Sequence, residues 1–181
     1  AVVGKLPAWC ELVDMLDLRL AELLAASRLH QSLANAQRNA DLQRALYAIA
    51  DLAYADLDMR EMLARVHAVI DGLTYAKNLF IATYDAERDV MRFIYYGDQG
   101  SAPILLKDDE LAGTDYPNSL TLAMVRRGKS LMGPSAVLRA ELDIAIDPRL
   151  GPESADWLGV PMLEGDRVRG AVVVQSYDQD K

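Results

Sequence analysis

The stretch that most limits what this chain can become is Asp156 to Asp178, DWLGVPMLEGDRVRGAVVVQSYD. Two apolar runs flank Glu164-Gly165-Asp166, whose Gly and Asp suit a tight reversal. The pattern predicts a β-hairpin with a short loop. From Gly170 to Val174 the second run is apolar on both alternating faces. A strand with one wet face would alternate polar and apolar, so this one is predicted to lie centrally, with protein on either side. Pro161 cannot donate to a ladder, and two readings stand for it, a bulge or an edge position.

At the other end, residues 8 to 54 contain neither Pro nor Gly and are rich in Leu, Ala, Gln, Arg, Asp and Glu. These residues are favoured or tolerated in helices. A single helix of that length would extend on the order of 70 Å, which points to a coiled coil rather than an ordinary globular helix. Val13, Leu16, Leu20 and Leu23 repeat at three-four spacing, as do Leu42, Ala45, Ile49 and Leu52. Between them the seam turns polar, at His30, Gln31, Asn35, Gln37, Arg38 and Asn39. Two readings follow. One is a dimerising helix with a weakened middle; the other is a helix broken near residues 30 to 40, with both pieces packed on the domain.

The intervening chain alternates helix and strand signals. Asp56 or Asp58 caps a helix running to about Asp71, stopped by Gly72. Met59, Met62, Leu63, Val66, Ile70 and Leu73 form one apolar stripe on it, fit to lie on a sheet. Residues 76 to 84 and 90 to 96 are predicted strands joined through Asp85-Ala86-Glu87-Arg88-Asp89. Pairing across that loop groups Phe80, Ala82, Met91, Phe93 and Tyr95 on one face and Leu79, Ile81, Thr83 and Ile94 on the other. The pattern does not say which face meets the helices. Residues 97 to 117 read as a long irregular excursion. A helix over 120 to 127 follows, capped by Asn118 or Ser119 and closed by Gly128. A short strand near 130 to 132, a helix over 135 to 142 and a Pro- and Gly-containing connection lead to the hairpin.

The bulk properties narrow the function. Half of the 181 residues are hydrophobic (51%) and a quarter charged (25%), an ordinary globular balance with room for one domain and an appendage. A net charge of -8 argues against nucleic acid, which needs a clustered basic face. The small cluster Arg126, Arg127 and Lys129 is too slight to reverse that. Cys10 is the one cysteine, so no internal disulfide forms and a reducing, cytoplasmic setting is expected. No apolar run approaches the length needed to cross a bilayer, and no signal peptide is visible. The chain starts without Met and stops just after a strand, as a piece excised from a longer protein would.

The order and spacing of these segments resemble a GAF domain. The resemblance is carried by Leu46-Tyr47-Ala48-Ile49-Ala50-Asp51-Leu52-Ala53, Asn78-Leu79-Phe80-Ile81-Ala82-Thr83-Tyr84-Asp85 and Met91-Arg92-Phe93-Ile94-Tyr95-Tyr96. It is completed by Trp157-Leu158-Gly159-Val160-Pro161 and the run from Arg169 to Tyr177. It covers most of residues 44 to 178 and is nearest to the GAF sensors of bacterial diguanylate cyclases and histidine kinases. It implies an α+β, PAS-related fold: a central antiparallel sheet flanked by helices, with a long N-terminal helix. Residues 1 to 43 would be a coiled-coil signalling segment and 44 to 181 the sensory domain. The implied partners are a second copy, joined through the N-terminal helix, a small-molecule ligand, and an output module C-terminal to the domain in the full-length protein.

Catalytic chemistry is hard to assemble. His30 and His67 stand in separate helices without a second ligand at helical spacing, whereas zinc or iron needs three or four converging groups. His67 reads as a residue on the flank of the apolar stripe, with a haem ligand as the competing reading. Sulfoxide-reducing GAF proteins, which the resemblance brings in, work through several cysteines, and Cys10 lies outside the expected sheet. The bilin tether of phytochrome-type domains and the spaced signature of cyclic-nucleotide domains find no match. Asp108-Asp109-Glu110 and the Asp85 to Asp89 loop read as solvated charge. Ser135 and Ser176 have no histidine evidently placed to activate them. No catalytic residue, metal or cofactor is assigned. What remains is a ligand pocket, which the resemblance places between a sheet face and its covering helices and loops. Phe80, Phe93, Tyr95, Leu122, Met124 and Trp157 are its candidate lining, with plain core packing as the competing reading of each. The expected function is a non-catalytic sensor that binds a small molecule or relays a signal; the alternative is a ligand-free dimerisation scaffold.

Overall fold

A computed structural model of the chain describes residues 6–97 and 110–178. Contacts divide it into two compact units, Ala1–Tyr47 and Ala48–Lys181. The first contains all but the last turn of the helix α1 (Leu6–Leu52), 47 residues long and unbroken through the polar stretch at 30 to 40. The alternative reading, a helix broken there, is not met. Exposed along it are Val13, Leu16, Leu20 and Leu23, the positions at three-four spacing.

The second unit is built on a sheet of six antiparallel strands among the described residues, in the order β3-β2-β1-β6-β5-β4. These are β1 (Asn78–Asp85), β2 (Val90–Gly97), β3 (Glu110–Ala112), β4 (Leu131–Pro134), β5 (Asp156–Glu164) and β6 (Arg167–Ser176). The predicted hairpin is β5–β6, closed by Glu164 opposite Arg167 and turned at Gly165, whose φ of 61° is costly for any residue with a Cβ. β6 lies between β1 and β5, as its two apolar faces require. Pro161 lies beyond the last β4 partner, Leu131 opposite Gly159. There β5 has become a border strand, where a missing N–H is tolerated.

The helices α2 (Met59–Asp71), α3 (Leu120–Arg127) and α4 (Ser135–Leu142) have the ends expected of them where caps were predicted. Asp58 Oδ1 accepts from the Glu61 N–H at 2.8 Å, and Ser119 Oγ accepts from that of Leu122 at 3.2 Å. Gly128 closes α3 at φ 62°.

The two faces of the sheet are covered by different helices. On one, Phe80, Ala82, Tyr84, Met91, Trp157, Ala171 and Val173 pack with Leu120, Leu122, Met124 and Val125 of α3 and Leu138 of α4. On the other, Leu79, Ile81 and Tyr95 pack with Leu63 of α2 and Ala76. This corrects one expectation. The register of β1 and β2 shifts between Ile81, opposite Tyr95, and Ala82, opposite Phe93. Ile94 is the extra residue, a bulge that turns Tyr95 away from Phe93 and onto the α2 face.

Candidate functional site

The α3/α4 face holds the candidate site, a cavity of about 170 Å³. Its floor is the sheet, through Phe80, Met91, Phe93 and Trp157. The ring of Phe80 meets that of Phe93 edge-on, with centroids 5.1 Å apart. The walls are the first turn of α3, Arg139 of α4, and the connection from Asp147 to Ser154, which includes a 3₁₀ turn over Pro148–Leu150.

The charged groups at this rim are already neutralised by one another. Arg139, whose side chain is 14% exposed, donates from Nε to Glu153 at 2.7 Å. It also donates to the backbone carbonyls of Asn118 and Ala145, each at 3.0 Å. Asp147, with a side chain only 6% exposed, accepts from Arg149 at 2.6 Å. That guanidinium holds the Asp147 carboxyl below the usual carboxylate range, with burial opposing it. Arg149 also lies over the Tyr116 ring, 4.8 Å from its centroid, and donates to the Asp115 carbonyl. One arginine thus ties the 115–116 segment to the 147–149 turn.

The sequence candidates divide three ways. Phe80, Phe93 and Trp157 line the cavity together. Leu122 and Met124 are 0% exposed and belong to the packed core of the same face without lining it. Tyr95 is on the far side of the sheet, where its hydroxyl lies 2.9 Å from His67 Nδ1. His67 Nε2 is 2.6 Å from the Ala76 carbonyl, which can only accept, so this nitrogen carries a proton, and in the neutral imidazole Nδ1 accepts from Tyr95. His67 is thereby a structural link from α2 to β2. Thr121, Arg139 and Asp147 had no signal in the sequence, because their placement depends on how three separate segments converge.

Other candidate groups are occupied elsewhere. Ser135 Oγ is 2.8 Å from Ser154 Oγ, and Ser176 Oγ donates to the Asp178 carbonyl. In the Asp85 to Asp89 loop, Asp85 accepts from the N–H groups of Glu87 and Arg88. Asp89 accepts from Arg126 and from the Tyr84 hydroxyl. Glu110 pairs with Arg88 and Arg92, whereas Asp108 and Asp109 lie outside the described residues, as does the Cys10 side chain. His30 is exposed on α1. Among the described residues no group of three His, Cys, Asp or Glu could hold a metal ion. No described helix is long and apolar enough to cross a membrane.

No protein-family model matches the chain, and no curated protein does. Solved structures do. The GAF domain of a phosphoenolpyruvate-protein phosphotransferase from Coxiella burnetii is 16% identical, with a TM-score of 0.56 over 77% of this chain and 79% of that one. The A. aeolicus nlh2 GAF domain is 18% identical, with a TM-score of 0.54 over 79% and 85%. A free methionine-R-sulfoxide reductase from Neisseria meningitidis, in complex with its substrate, is 15% identical, with a TM-score of 0.52 over 78% and 75%. The neighbours thus include GAF domains and a sulfoxide reductase, and at these identities the likeness is one of fold. With a six-stranded antiparallel sheet, helices on both faces and a long N-terminal helix, this chain has a GAF-like α+β fold.

Proposed function

We propose that this chain is a non-catalytic sensory domain that takes a small molecule into the α3/α4 cavity. Through a dimer of α1, occupancy would then bias an output module of the diguanylate cyclase or histidine kinase type, in the cytoplasm. The observation that carries the reading is the cavity itself, concave, floored by aromatic rings and edged by a few polar groups. The regulatory rather than catalytic assignment is supported by His67 being committed to Tyr95 and Ala76, and by Ser135 and Ser176 bonding to partners other than histidine. Sulfoxide reduction through several cysteines has a single cysteine to draw on. Dimerisation is supported by the apolar side chains at Val13, Leu16, Leu20 and Leu23, each more than half exposed on α1. The mechanism is positional: a ligand that binds better to one arrangement of the helical pair shifts the population toward it.

Thermal melting of the full chain against a broad panel of metabolites tests the ligand half. A compound that raises the melting temperature and perturbs Trp157 fluorescence is the expected result. No hit, with a crystal structure showing side chains filling the cavity, would favour the ligand-free scaffold. Light scattering on the full chain and on a version lacking residues 1 to 40 tests the dimer half. The expected masses are a dimer for the first and a monomer for the second; monomers for both would remove the coiled-coil claim.

A further inference from the structure

The cavity has a donor end that no protein group uses. α3 is capped by Ser119, whose carbonyl accepts from the Ala123 N–H and whose hydroxyl accepts from that of Leu122. The N–H groups of Leu120 and Thr121 have no such partner, and both residues border the cavity. A helix start of this kind favours negative charge but does not by itself make a site. The second observation is Thr121, which is 5% exposed yet has no hydrogen bond to its hydroxyl. Among the described residues no wholly enclosed side-chain polar atom lacks a partner. The Thr121 hydroxyl is therefore not sealed in protein, and Thr121 is a lining residue of the cavity.

Of the charged groups at the rim, Arg139 is paired with Glu153 and Asp147 with Arg149. At the α3 end the unspent capacity is two backbone N–H donors and a hydroxyl. Opposite them lie the rings of Phe80, Phe93 and Trp157. The volume, about 170 Å³, is close to that of the roughly 150 Å³ apolar cavities that hold a benzene ring. We propose that the ligand is a small carboxylate with an apolar, ring-sized body, its acid group held by Thr121 and the first turn of α3. This rests on the cavity being a ligand site, as argued above, and adds the chemistry of what enters.

Calorimetric titration of the full chain with benzoate, benzamide and benzylamine tests it, because the three share a ring and differ in the group presented to α3. Benzoate should bind about tenfold more tightly than benzamide, the margin of one charge-assisted hydrogen bond, and benzylamine should bind more weakly still. Thr121→Val should lower benzoate affinity about tenfold. Thr121→Ser, which keeps the hydroxyl, should hold it within about threefold of the wild type and guards against a folding defect in the first variant. Equal affinities for benzoate and benzamide, or tighter binding of benzylamine, would overturn the carboxylate assignment and leave the cavity as a ligand site. Failure of all three at millimolar concentration would also overturn it, while a hit from the metabolite panel would keep the cavity reading alive.

Discussion

Replacing Tyr95 by Phe should weaken the fold without touching the cavity. Tyr95 is 0% exposed, and its hydroxyl donates to His67 Nδ1 at 2.9 Å. The imidazole cannot turn to find another partner, because its other nitrogen is held by the Ala76 carbonyl at 2.6 Å. Tyr95→Phe thus removes a hydrogen bond and leaves an acceptor facing a ring edge. A net hydrogen bond contributes about 1 kcal/mol, and a stranded buried acceptor costs about 1–3 kcal/mol. The two describe one loss and are not added; His67 is half-buried, so water can reach its ring in part, and the lower part of that range applies, about 1.5 kcal/mol. For a domain of this size that lowers the melting temperature by about 5 °C. Urea unfolding of Tyr95→Phe, His67→Leu and the double variant measures it, with a coupling of about 1 kcal/mol expected between the two positions. Affinity for any ligand of the α3/α4 cavity should stay within about twofold, since Tyr95 is on the other face of the sheet. Additive single effects would refute the hydrogen-bonded link; a lost ligand affinity would refute the placement of Tyr95 away from the site.

Two further outcomes follow from particular contacts. The Asp89 carboxyl is held below the ordinary carboxylate range chiefly by Arg126, with the Tyr84 hydroxyl adding to it. A folded pKa below the unfolded one means stability that is present at neutral pH and lost as pH falls through the acid range. Asp89→Asn should therefore flatten the acid limb of stability below about pH 4. Both partners are more than a third exposed, so screening holds the effect under about 1 kcal/mol. Unchanged acid melting curves would contradict it. At Gly159 an added Cβ would come within 2.2 Å of the Trp157 indole and 2.7 Å of Met124 Sδ. Gly159→Val should destabilise by about 1–3 kcal/mol and shift Trp157 emission, measured against the exposed Trp9 as background; an unmoved spectrum would count against this packing.

Where the sequence was legible, the physics was local. Gly170 to Val174 had no polar face, and such a run can only be central. Ser119, Gly128 and Asp58 announced helix ends because capping chemistry lies within a few residues of what it caps. The strand β3 was hidden in the irregular stretch before residue 117, since Glu110-Leu111-Ala112 has no period of its own and becomes a strand only by pairing with β2. Tyr95 was misplaced because Phe93-Ile94-Tyr95-Tyr96 is apolar throughout. In such a run a one-residue bulge leaves no trace, yet it exchanges the faces of everything after it. Of the cavity, the sequence disclosed the rings of Phe80, Phe93 and Trp157 but not its polar end. Thr121, Arg139 and Asp147 are ordinary surface residue types by composition. Only the convergence of α3, α4 and the 147–154 connection makes them neighbours.

The central position of β6 bears on how the protein is made. Its partner β1 precedes it by roughly 95 residues, as Leu79 opposite Val174 shows, so one long loop must close before the sheet is whole. On a ribosome, β1, β2 and β3 emerge first and must wait with the inner border of β1 unpaired. That border is rich in Leu, Phe, Ile and Ala, and a waiting strand of this kind is a natural docking point for a chaperone or for another nascent chain. Translation that halts before residue 167 would release two half-sheets with nothing between them to join.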